Sequence, residues 1–218
     1  MTVQEIYEQA LARASEFSEK VPNTFSVTVA RMTQRQEQLF ARIAELNRDY
    51  TGRDGEVTLI AGVGDSATLD PLPMRVYHVQ IGDPGASSYA AGKKVNIVPV
   101  DDLDCALAPR ATFRDGLFEQ VATDLANVTS LTVFYAKRPT ELTAGDDVPE
   151  LPVQFHELLV VDLTKSLVRK TIGLNATSRK EIIEILEVEE TELLAAFDNH
   201  IINYNYAEVS RFGRTAGG

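Results

Sequence analysis

Apolar positions recur every three or four residues at both ends of the chain and every second residue in the middle. Near the start, Thr2 with Glu5 three residues on is a capping-box pattern, and Ile6, Ala10, Ala14 and Phe17 follow on one face. This predicts a helix over residues 2–20, ended by Val21-Pro22-Asn23. A second series, Phe25, Val29, Met32, Leu39, Ile43 and Leu46, has Gln36 in its gap and predicts a helix to about Asn47. Its TFSVTV start is rich in β-branched residues, which leaves the first turn open. The short polar link between the two favours an antiparallel hairpin.

The period changes at Tyr50. TGRDG is turn chemistry, and EVTLIAGVGDSATLD reads as short strands broken by glycines. MRVYHVQI alternates Met74, Val76, His78 and Gln80 against Arg75, Tyr77, Val79 and Ile81, as a strand does. DPGASSYAAG reads as a loop, and KKVNIVPVDDLD as a strand running into an acidic turn. SLTVFYAKRP is a strand with Leu131, Val133 and Tyr135 on one face. The intervening RATFRDGLFEQVATDLANV is compatible with a short helix or a connecting loop.

Helical spacing returns after Pro152. Phe155, Leu158, Leu159, Leu163 and Leu167 form a stripe to about Ile172, with Gly173 at the C-terminus. Ser178 and Glu181 make another capping box, followed by Ile182, Ile185, Leu186, Leu193, Phe197, Ile201 and Tyr204 to about Val209. The acidic run EVEETE leaves open whether this is one helix or two. SRFGRTAGG is small, basic and glycine-rich, the composition of a flexible tail.

The expected fold class is α+β, mainly α: an antiparallel helical bundle carrying a small β-rich subdomain. It is expected as one domain over 1–218, with the bundle at 1–49 and 150–209, the insertion at 50–149 and the tail at 210–218. Phe17, Leu39, Ile43, Leu159, Leu163, Leu193, Phe197 and Ile201 are the expected shared core.

Charge and composition narrow the function classes. The net charge of −11 repels nucleic acid at long range, which argues against a sequence-reading DNA binder but not against a protein that lets DNA pass. No apolar run reaches the roughly 18 residues that a membrane span needs. MTVQEIYEQA has no apolar signal region, so no secretory signal is expected. The single cysteine, Cys105, excludes an internal disulfide and suits a reducing compartment.

No chemical motif is complete. His156-Glu157 resembles the start of a zinc-protease helix, but the second histidine four residues on is missing, so the pair reads as solvent-facing first-turn residues. Gly64-Asp65-Ser66 resembles the nucleophile block of a serine esterase family. Its Asp198-Asn199-His200 partner segment is one residue too short, so a turn is the better reading. Gly62-x-Gly64 lacks a third glycine. Asp101, Asp102 and Asp104 lack the glycine and glutamate of a calcium loop and read as a solvated turn. Cys105 has no basic neighbour in sequence and reads as inert.

The order of pieces is more informative. LDPLPMRVYHVQIGD, KKVNIVPVDDLDCALAPRATF, SLTVFYAKRPTEL and DDVPELPVQFHELLVVDLTKSLVRK, with Pro149 and Pro152 leading to Phe155-His156, resemble the head–tail adaptor (connector) proteins of tailed bacteriophages. The resemblance covers roughly residues 1–210. It implies a structural virion protein at the neck, assembled in the bacterial cytoplasm, with no enzymatic activity, cofactor or metal. It implies a homo-oligomeric ring, usually dodecameric, that sits beneath the portal protein and presents a surface to the next neck or tail component. Genomic DNA would pass through without specific binding, and no membrane is involved. By the same resemblance, Arg211, Phe212 and Arg214 are expected to contact the portal or a neighbouring subunit. Another neck or tail-completion protein, or a small hydrolase using Ser66, is the alternative.

Overall fold

Capping sets where the first helix begins. In the computed structural model, which describes residues 1–22, 25–47, 50, 52–58, 73–86, 90–98, 110–114, 117–121 and 128–204, the Glu5 amide donates to Thr2 Oγ1 at 3.2 Å. The Thr2 amide donates to Glu5 Oε2 at 2.8 Å, closing the box at the head of α1 (Val3–Ser15). This helix stops before residue 20. The Ser15 hydroxyl donates back to the Leu11 carbonyl and the Phe17 amide to that of Ala14, so the chain tightens into a turn and Phe17 is only half-buried.

The next amides of α1 are taken by a distant loop: Val3 N donates to Asp147 O at 2.9 Å and Gln4 N to Gly145 O at 2.8 Å. The same loop reaches α2 (Phe25–Leu46). Gln36, fully buried in the gap of the apolar stripe, donates to Thr140 O at 3.0 Å and accepts from the Glu150 amide at 2.9 Å. These bonds tie the segment from Thr140 to Glu150 to the helices. The chain divides into two compact units, Met1–Leu46 with Pro139–Gly218, and Asn47–Arg138.

A 3-10 turn, Val153–Phe155, leads into α3 (Glu157–Lys170). Every residue from Leu158 to Lys165 is buried, because α1, α2 and α4 (Ala176–Ile202) all pack against this helix. Arg31 of α2 grips Asp162 with two bonds of 2.8 and 2.9 Å, which makes an aspartate tolerable in that position. Of the expected core, Leu39, Ile43, Leu159, Leu163, Phe197 and Ile201 are buried, and Leu193 is intermediate. After α3, Gly173 turns the chain at φ +100°, and Arg179 Nη2 donates to the Thr171 and Leu174 carbonyls. The cap of α4 is Asn175, whose side chain accepts from the Ser178 amide, so the helix starts three residues ahead of the expected Ser178 box.

The second unit is a sheet in the order β1-β6-β2-β3-β4-β5, with β1 Gly52–Thr58, β2 Pro73–Ile81, β3 Lys94–Ile97, β4 Arg110–Arg114, β5 Leu117–Val121 and β6 Ser130–Lys137. All pairings are antiparallel except β3 with β4. The segment read as a turn, TGRDG, contributes Gly52–Gly55 to β1, because β6 supplies it with a full ladder from Ala136 to Ser130. The ambiguous piece after residue 109 contributes β4 and β5, paired antiparallel, and its other residues up to 127 lie outside the described residues. Leu131, Val133 and Tyr135 form the core with Val79 and Ile81. A register irregularity between Val76 and His78 changes the parity of β2, which is why Val76 packs against the same cluster as Val79.

Candidate interaction surface

The longest helix is fastened to the others largely by charge. Only Leu186, Phe197 and Ile201 of α4 are buried. Around them, Glu187 meets Arg169 of α3 at 3.8 Å, Glu189 pairs with Arg13 of α1, and Asp198 pairs with Arg42 of α2. Glu190 bridges Arg35 at 2.6 Å and Lys165 at 2.5 Å, with all three side chains less than a fifth exposed. The EVEETE run therefore does not divide the helix. Glu187, Glu189 and Glu190 of the run meet cations delivered by three other helices, and α4 is continuous.

The opposite face is different. Ile185 is 64% and Val188 62% exposed, and Ile202 is 48% exposed nearer the C-terminus. Ile185 belongs to the helical series read from the sequence, yet Leu186 takes the inward position and leaves its neighbour outward. The signal was present: Ile182, Ile185, Leu186 and Val188 point in too many directions for a single apolar stripe. Exposed apolar side chains grouped on one helix face are the mark of an interaction surface.

His156 is fully buried, not solvent-facing. The 3-10 turn folds its ring back so that Nε2–H donates to the Leu151 carbonyl at 2.9 Å, while Nδ1 accepts from the Met1 amine at 3.2 Å. Burial pushes its pKa down from the ordinary 6.5, and the nearby amine charge adds to this. Glu157 instead reaches Arg13 at 3.0 Å. Because the folded protein resists protonating His156 while the unfolded chain does not, stability is expected to fall as pH drops through 6.5. His156→Gln should remove that slope in urea titrations run at a series of pH values. A slope unchanged in the variant would assign it to other groups.

Of the remaining chemical candidates, Asp198 and His200 are among the described residues, and each has its own partners. The Asp198 carboxylate is held by Arg42, and His200 lies with Nδ1 3.4 Å from Gln154 Nε2 and its ring 5.2 Å from Phe155. Ser66, Asp101, Asp102, Asp104, Cys105, Arg211, Phe212 and Arg214 lie outside the described residues. Among the described residues, no three His, Cys, Asp or Glu side chains come together to hold a metal ion. A cavity of about 570 Å³ lies in the sheet unit, lined by residues of β2 and β3 that include His78, Lys94, Asn96 and Ile97. His78 is stacked on Phe134 at 4.1 Å. No described helix is long and apolar enough to cross a membrane. No protein-family model matches the chain, and a search of curated proteins finds no match.

Proposed function

We propose that the chain is a structural protein of the tailed-phage neck: a head–tail adaptor that forms a homo-oligomeric ring beneath the portal and extends the DNA channel toward the next neck or tail component. The observation that carries this reading is a helical unit interrupted between α2 and α3 by a sheet unit, with apolar Ile185 and Val188 left outward on its longest helix. In this reading the four helices act as one antiparallel bundle, a rigid body for ring building, and Arg211, Phe212 and Arg214 contribute to partner contacts. The acidic balance suits a conduit, since every phosphate contact formed would have to be broken as the genome passes. The protein would act by shape and assembly, without cofactor, metal or catalysis.

Deleting the gene from the genome that carries it tests the reading. Particles are expected to accumulate as DNA-filled heads without tails, and antibody against the chain should label the neck of intact particles. Normal tailed particles from the deletion would contradict it.

A further inference from the structure

The outward stripe of α4 has a chemical complement within the same chain. Glu181, Ile185, Val188 and Glu192 are all exposed, and their spacings of four, three and four place them on one helix face. The two carboxylates stand about 16 Å apart along the axis, with both apolar side chains between them. The chain as a whole is strongly acidic, yet the segment Ser210-Arg211-Phe212-Gly213-Arg214 sets two arginines around one aromatic ring. Three residues in extended conformation span about 10 Å, and the length of the arginine side chains makes up the difference to the carboxylates.

We propose that the outer stripe of α4 is the docking site for Ser210–Arg214 of a second copy of the chain. Phe212 covers Ile185 and Val188, and the two guanidiniums pair with Glu181 and Glu192. Docking within one copy is disfavoured by reach. The centre of the stripe lies about 26 Å back along the axis from Tyr204. The eight residues from Tyr204 to Phe212 span at most about 29 Å fully extended, before any is used to reverse direction. A second copy has no such limit. Each copy then offers one segment and receives one, a head-to-tail contact that closes into a ring when the rotation permits.

This inference rests on the self-assembling reading above, and the experiment separates the two. The mass of the full chain is measured by light scattering over a concentration series, alongside a variant with Arg211→Glu and Arg214→Glu and a variant with Glu181→Arg and Glu192→Arg. Each variant alone should self-associate at least tenfold more weakly, with an unchanged far-ultraviolet circular dichroism spectrum. An equimolar mixture of the two should regain assembly, because each copy's segment then meets an oppositely charged stripe on the other. A parent that assembles while either variant assembles equally well, or a mixture that fails to recover, overturns this inference alone. A parent that stays a single copy at every concentration overturns both readings.

Discussion

Replacing Phe197 by alanine is expected to lower the unfolding free energy by about 3–5 kcal/mol. The side chain is fully buried, and its ring meets Phe155 edge-on at 5.0 Å and 86°. It is one of only three buried residues on α4, so few neighbours remain to close the cavity. A domain of ordinary stability has about 5–15 kcal/mol in all, so the loss should be visible as a large drop in the urea midpoint. Leu163→Ala in α3 should cost about 2–5 kcal/mol by the same mechanism. If both substitutions leave the midpoint where it was, the helices do not pack as described.

The second large effect is electrostatic. Glu190→Ala should cost about 3–5 kcal/mol, because it leaves Arg35 and Lys165 close together, nearly buried and without their shared carboxylate. The Nε of Arg35 is already buried without a hydrogen-bond partner, and Gln38, which accepts from Nη1 at 3.1 Å, is neutral and does not replace the carboxylate's charge. Glu187→Ala is the control three residues away. Its pair with Arg169 is 3.8 Å long with both side chains more than half exposed, and such pairs contribute at most about 1 kcal/mol. Equal effects of the two substitutions in urea unfolding would show that the acidic run is merely a solvated face.

The elements whose partners lie on their own stripe were legible in the sequence. Thr2 and Glu5 announced the start of α1, Phe155 to Leu167 announced α3, and the alternation of Leu131, Val133 and Tyr135 announced β6. What was illegible depends on groups far away in the chain. The Glu187–Glu192 run looked like a break because its cations, Arg13, Arg35, Lys165 and Arg169, are scattered over three other helices. His156 looked exposed because only the fold of the preceding turn brings its ring under Leu151. Gly52–Gly55 has turn composition, and β6 overrides it by offering a complete ladder. The exposed Ile185 and Val188 could have been found as apolar residues in excess of one stripe. The chemical candidates could be weighed only as incomplete motifs, and Ser66 and Asp101–Asp104 fall outside the described residues.

The most direct test of the account is the assembly state of the purified full chain, measured by light scattering and negative-stain imaging across a concentration series. A structural neck protein of the kind proposed should form closed rings of uniform copy number at high concentration. Those rings should dissociate when Ile185→Asp and Val188→Asp are introduced together on the outer face of α4. A chain that remains a single copy at every concentration, or rings indifferent to both substitutions, would contradict it.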